Sequence, residues 1–420
     1  MKRYKFLIVF LLFIGNVQIT FSQDELHIRN GLKNFYSKLK NAKGNQLIVA
    51  FLGGSITEAD NGWRDKVFVW LQQQYPAVSL TQINAGIGGT GSDLGVYRLD
   101  EQVLKYKPDL LFIEFAVNDF DVPRDKLLKS IEGIVLKTLA AGHTDICFIY
   151  TFNDKSYSKY INDSLPNSVA VMEEVATYYN LPSINVGLTI AKLIEQGRMF
   201  LKGPKPVAGD STFFSGDGVH PYPETGHLNY FKTISASLEK IFITNPVQKK
   251  IKSKPYFSNA LQKAGMQDFQ PYMMQGAIQQ AATAGDDVMK PFLKMLPHTF
   301  LLNDTAQQIA FSFIGNRIGF MDILAPSSAE LTVYIDDEKP RYINRFDEYC
   351  FYFSRMHWFF IEGLTEGRHT IRIKLSSQQP DKFLMLDKNK DKSSVDKREE
   401  YQKYIWRAGK ILVDGWLGRK

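Results

Sequence analysis

Four short segments of this chain carry residues that could do chemistry together. Ser55 stands in "IVAFLGGSITEAD" (Ile48 to Asp60), where an apolar run stops at Gly53 and Gly54. A glycine-rich stretch, "NAGIGGTGS", spans Asn84 to Ser92. Asn118 and Asp119 close the apolar run "DLLFIEFAVND". Asp217 and His220 lie three apart in "FSGDGVHPYPETGH". The set has the parts of acyl transfer through serine. A serine hydroxyl attacks only when a base takes its proton, and His220 can be that base. A carboxylate fixes the imidazole tautomer and stabilises the imidazolium, and Asp217 is the candidate. The negative oxygen of the tetrahedral intermediate needs preorganised donors. The Ser55 N–H, a glycine N–H of the second segment and the Asn118 amide can provide three.

Each part has a blander reading. Gly53-Gly54-Ser55 can be a tight turn that needs glycine. Asn84 and Asn118 can be turn residues, Asp217 a cap and His220 a surface side chain. The glycine spacing from Gly86 to Gly91 fits neither a Walker loop nor a dinucleotide fingerprint. His220 and His227 lack a third spaced ligand for a metal, so no metal and no cofactor is expected. His27, His143, His298, His357 and His369 have no acidic partner at a telling spacing.

What favours the joint reading is the scaffold the segments imply. From about residue 46 to 245, apolar runs alternate with helical patterns. "QLIVAFLGG", "VSLTQINAG", "DLLFIEFAVND", "DICFIYTFN" and "LPSINV" read as strands of a sheet buried on both faces. Between them, Trp63, Val67, Trp70 and Leu71 share a helical face, with Asn61 placed to cap it. Leu94, Tyr97, Val103 and Leu104 form the apolar side of a second helix. Further helices fit Lys126 to Ala140, Asn167 to Tyr179 and about Glu224 to Phe242. Such alternation predicts a parallel sheet with helices on both faces. Its strand ends converge on one crevice, which would gather the four segments.

Beyond Asn245 the pattern changes to period two. "IAFSFIGNRIGFMDI", "AELTVYIDD", "RHTIRIKL" and "GKILVDGW" predict antiparallel strands packed as a β-sandwich. The expected organisation is a leader over 1–22, a catalytic domain over 23–245, a polar connecting segment over 246–290 and the sandwich over 291–420. The sandwich is expected to hold its own core, so that a fragment ending near Pro246 would keep activity on a small ester. Tyr349, Tyr352, Trp358 and Phe360 fit either the sandwich core, the favoured reading, or an exposed sugar-stacking surface. The run Asp387–Lys403 reads as an exposed loop, too charged to bury anything.

Taken in order, the four segments resemble the SGNH hydrolases, also called the GDSL esterase family, over about Leu47 to Phe242. The resemblance implies a flavodoxin-like α/β/α sandwich. It makes Ser55 the nucleophile, with Asp217 and His220 completing the triad and Gly89 and Asn118 joining the Ser55 N–H in the oxyanion hole. Two positions depart from the family pattern. Gly54 stands where the family has an acid, and Ala116 where it has a glycine two before the asparagine. An exported member with an appended sandwich resembles carbohydrate esterases that remove acetyl groups from glycans. The alternatives are a lysophospholipase or thioesterase, a glycan O-acyltransferase, and a glycan-binding protein with an inactive esterase domain.

Composition fits such a protein. The chain has 420 residues, 44% hydrophobic and 23% charged, which is ordinary globular usage. "MKRYK" and "FLIVFLLFIG" read as a secretory leader cleaved after Ser22, which implies export. No other run approaches about 18 apolar residues, so no stable membrane insertion is expected. Cleavage would remove three cations and no acid from a net charge of +7. The remaining charge is scattered, and no nucleic-acid partner is expected. Cys147 and Cys350 read as buried free thiols rather than a disulfide. The expected partner is an acylated glycan or another small ester.

Overall fold

The structure is a computed structural model that describes residues 24–41, 46–207, 212–282, 289–388 and 398–418. The expected leader and the centre of the charged run 387–403 lie outside the described residues.

Five parallel strands form the first sheet: Gln46–Gly53, Ser79–Gly86, Leu110–Glu114, Asp145–Ile149 and Ser183–Ile184. Numbered along the chain, they lie in the order 2-1-3-4-5, the flavodoxin-like arrangement. The two-residue strand Leu26–His27 adds an antiparallel edge. Alternate residues of each strand face opposite sides. Ala50 and Leu52 pack under helices Ser92–Gln102, Arg124–Ala141 and Asn167–Tyr179. Val49 and Phe51 pack under helices Lys33–Asn41, Trp63–Gln74, Val186–Glu195 and Gly226–Ile243. The three-layer expectation therefore holds. One detail differs: Gly62, not Asn61, caps the helix that starts at Trp63. Asn61 instead has φ 55° and gives its backbone N–H to Asp65.

The second half is a ten-stranded antiparallel, sandwich-like sheet. Its long strand Gln308–Leu324 pairs first with Gly367–Leu375 and then with Arg355–Ile361. Trp406–Gly418 runs along its other edge. Residues 246–290 supply more than a connection. Ala264–Asp268, Met274–Gln275 and Gln279–Ala282 are strands of this sheet. They are short and lean on their neighbours' hydrogen bonds, so their polar composition hid them. The charged run also differs from expectation at its end. Arg398–Tyr401 is helical, and the Tyr401 ring is buried against Phe346 and Phe351.

The two halves share a core. Leu94, Val96, Tyr97 and Val103 of the catalytic half belong to the same buried cluster as Leu261, Met295, Leu296, Met321, Ile323 and Leu412. That is why Trp406–Gly418 is buried on both faces over most of its length. Lys137 reaches across to donate to the carbonyl of Ala264, and Lys410 pairs with Glu101 at 3.1 Å. Trp358 and Phe360 lie at this junction, neither filling the sandwich core nor lying open. Trp358 Nε1 donates to Asp93 at 2.9 Å, and the Phe360 ring lies 5.2 Å from that of Tyr97. Tyr349 and Tyr352 are exposed.

A shared core overturns the expectation of an independent catalytic half. Cutting near Pro246 would strip apolar cover from helix Ser92–Gln102, and the fragment should not stay folded. Leu412→Ala, in that core, should cost about 2–5 kcal/mol. It should lower one cooperative melting transition read by calorimetry. Two transitions of which only one moves would contradict a common core.

Candidate active site

The first strand ends at Gly53, and a one-turn helix, Ser55–Glu58, follows immediately. The backbone must therefore reverse under Ser55 in very little space. A side chain on Gly54 would collide with the Asn118 amide. Buried Glu114, at the end of the neighbouring strand, fixes the turn from below. Its carboxylate accepts from Thr57 Oγ1 at 2.7 Å and Thr151 Oγ1 at 2.6 Å, and from the Gly54 N–H. Burial pushes the Glu114 carboxyl above the usual range, against the pull of these three donors.

Ser55 Oγ lies 2.9 Å from His220 Nε2. His220 Nδ1 lies 2.6 Å from Asp217 Oδ2. Asp217 Oδ1 accepts the backbone N–H groups of Val219 and His220, both at 2.8 Å. Partial burial alone would raise the Asp217 carboxyl. The bonds from the His220 ring and the two backbone amides outweigh it and hold the group at about 2. The loop carrying the pair is itself tied down. Gly218 gives its N–H to Ser215 Oγ at 2.6 Å, and its carbonyl accepts from Asp154 N at 2.9 Å.

The glycine-rich segment comes up beside Ser55. Gly88 N donates to Glu58 Oε2 at 2.7 Å, and Asn84 Oδ1 accepts from Gly86 N at 2.9 Å. Ile87 N and Thr90 N bond to the Gly53 and Ile87 carbonyls. Among the described residues, Gly89 is the one member of Gly86–Thr90 whose N–H is not engaged in this way. Gly89 has φ +71°, a conformation that favours glycine. The structure thus joins Ser55, His220 and Asp217 in one hydrogen-bonded chain, with Asn118 against Gly54 and with Gly88, the neighbour of Gly89, beside Ser55.

Three further residues support the site and carried no role in the sequence reading. Glu58 pins Gly88. Asp119 accepts the N–H of Ser92 at 3.1 Å, at the start of helix Ser92–Gln102. Burial pushes its carboxyl up to about 7. Arg98, fully buried, donates to the carbonyls of Gly53 (2.9 Å) and Ala85, at the ends of two strands. Burial pulls the Arg98 guanidinium down to about 9. A signal for Asp119 existed, since it sits next to Asn118. Glu58 and Arg98 had no such neighbour to mark them.

His227 belongs elsewhere. Its Nδ1 accepts the Trp63 N–H at 3.1 Å, and burial, with Lys66 nearby, lowers its pKa to about 3. Among the described residues, no cluster of three His, Cys, Asp or Glu side chains is arranged to hold a metal. Cys147 and Cys350 are buried free thiols. No helix among the described residues is long and apolar enough to cross a membrane. A cleft of about 730 Å³ opens between the halves, lined by Asp93, Lys126, Arg317, Phe360 and Asp414 among others.

Residues 51–226 match the family model of the GDSL-like lipase/acylhydrolase family. Over these residues the chain is similar to GDSL-like lipases and acylhydrolases. That similarity supports an ester-bond hydrolase. The fold of both halves recurs in a two-domain esterase (CEX) active on acetylated mannans, crystallised with mannopentaose. That structure matches with a TM-score of 0.69 at 20% identity, over 94% of this chain and 97% of that one. A second CEX crystal structure gives 0.69 at 19% identity, over 93% and 97%. A catalytic mutant of Axe2, an acetylxylan esterase from Geobacillus stearothermophilus, matches 46% of this chain and 94% of its own. Its TM-score is 0.38 at 19% identity. No curated protein matches the sequence.

Asp119 yields a pH test. Its folded pKa of about 7 lies above that of an unfolded aspartate, about 3.9. The folded protein therefore holds more protons between those values, and this group's contribution to stability falls as pH rises from about 4 to 7. The melting temperature of Asp119→Asn relative to the parent should rise over that window. A constant difference would show that Asp119 is ionised throughout.

Proposed function

We propose that the protein is an exported carbohydrate esterase that removes acetyl or other short acyl groups from a polysaccharide or oligosaccharide. The observation that carries this reading is the continuous chain Ser55 Oγ–His220 Nε2–His220 Nδ1–Asp217, at 2.9 and 2.6 Å. Ser55 Oγ attacks the ester carbonyl while its proton passes to His220 Nε2. Asp217, ionised above about pH 2, holds Nδ1–H and steadies the imidazolium. The oxyanion takes donors from the Ser55 and Gly89 N–H groups and the Asn118 amide. The carbonyl re-forms, and the sugar oxygen leaves with the proton from His220. Water, activated by the same imidazole, then releases the acid from Ser55.

Two features support a glycan ester with a short acyl group. His220 and Asp217 have side chains 57% and 54% exposed, which describes a shallow site open to a bulky polymer. CEX, which has the same two-domain fold, is active on acetylated mannans. The first 22 residues read as the leader that exports the enzyme to its substrate.

The test is acetate release from a panel of acetylated mannan, xylan and pectin, with variants as controls. Ser55→Ala and His220→Ala should each lower kcat by roughly 10⁴-fold or more. Asn118→Ala should lower kcat by about 10²–10³-fold with little change in KM. Preference for a long-chain ester or a thioester over every acetylated glycan would contradict the reading. An active Ser55→Ala would contradict the mechanism.

A further inference from the structure

The outward face of the C-terminal sheet carries charge and aromatic surface that the esterase site does not use. Ile309, Phe311, Phe313, Leu331, Val333, Ile371 and Ile373 form the inner face and the core. By strand alternation, their neighbours face out. Strand register aligns Ala310 with Arg372 and Arg372 with Tyr334. The next outward row runs Gln308, Lys374, Thr332 and Tyr342. On the other side, Arg368 lies opposite Ile314, which lies opposite Trp416.

A cleft of about 420 Å³ opens over the small side chains of Ala310 and Ser312, walled by Tyr334, Arg368 and Arg372. That is within the size range of small-ligand sites, roughly 300–1,000 Å³. The Arg372 guanidinium stands 4.1 Å from the centre of the Tyr334 ring, with the Lys374 ammonium 5.7 Å away. Stacking of this kind fixes a guanidinium in place and leaves its edge free to bond. Among the described residues, Arg368, Arg372 and Lys374 have no carboxylate within ion-pair distance. The acid that lines the cleft, Asp336, is already engaged. Its Oδ2 is 2.7 Å from His369 Nδ1, and its Oδ1 accepts from Thr370 N at 2.6 Å and Thr370 Oγ1 at 3.1 Å. Beside this cationic strip, Tyr342 is 63% and Trp416 49% exposed.

An unneutralised set of cations calls for an anion, and flat exposed rings suit the apolar faces of sugars. We propose that this sheet face binds a uronic-acid-bearing glycan, apart from the esterase site. The planar forks of Arg368 and Arg372 take the carboxylates, for which bidentate geometry is suited. Tyr342 and Trp416 take the faces of neighbouring sugars. The proposal rests on the reading of the protein as a glycan esterase and narrows its substrate to acylated polymers that also carry carboxylates.

The test is native affinity electrophoresis of the full chain at one ionic strength. The gels contain polygalacturonate, neutral mannan, dextran sulfate or a single-stranded polynucleotide. Polygalacturonate should retard the protein most. Arg368→Ala combined with Arg372→Ala should weaken that retardation at least tenfold while aryl acetate turnover is unchanged. Both arginines are exposed, so the double variant should fold, and unchanged turnover checks it. Equal retardation of parent and variant would overturn the proposal, as would none for the parent. Stronger retardation by dextran sulfate would reduce the face to a nonspecific cation surface, and stronger retardation by the polynucleotide would assign it another partner. Failure of the esterase reading would register separately, as absent aryl acetate turnover in the parent.

Discussion

The site depends on how the strand ends beneath Ser55 are tied together, and two buried ionisable side chains do the tying. Glu114 gathers Gly54, Thr57 and Thr151, which belong to the Ser55 turn, its short helix and the loop after strand Asp145–Ile149. Arg98 gathers the carbonyls of Gly53 and Ala85. A buried charge without partners is costly, so each group enforces the arrangement that satisfies it. If either carboxylate or guanidinium lost its partners, the Gly53–Ser55 turn would lose its reference to the rest of the sheet. Serine, imidazole and amide donors must hold their positions to a fraction of an ångström for acyl transfer. That precision comes from these interior polar groups, because the triad side chains themselves are open to solvent.

Arg98 also joins the chemistry to the second half of the chain. It stands on helix Ser92–Gln102, whose other residues carry the interdomain contacts. Tyr97 meets Phe360, Asp93 accepts from Trp358, and Glu101 pairs with Lys410. The N-terminus of the same helix is held by Asp119, next to Asn118. One helix thus touches the strand ends, the neighbour of the third oxyanion candidate and the C-terminal sheet. The appended sheet is part of the scaffold that supports the active site, and this is the physical reason why the two halves share a core.

Much of the catalytic fold was legible because a sheet covered on both faces demands apolar runs, and parallel strands demand helical crossovers. The site segments were legible because each interrupts such a run with glycine or a polar residue at a strand end. Elements without a strong period were missed. Leu26–His27 is only two residues, helix Asp154–Ile161 lies between strands already accounted for, and helix Val186–Glu195 follows the last of them. The roles of Glu58, Glu114 and Arg98 depend on which backbone groups the fold leaves unpaired, and sequence spacing does not carry that information. The same limit explains Trp358 and Phe360. Period two shows that a face is covered but not which domain covers it.

The central claim is that Ser55 is a nucleophile activated by His220. Labelling with a fluorophosphonate and mapping by mass spectrometry tests it directly, because the reagent bonds only to an activated hydroxyl. The account predicts one adduct, on the peptide containing Ser55, and its loss in His220→Ala while the protein remains folded. An adduct on another serine in the active enzyme, or undiminished labelling of Ser55 without His220, would contradict it.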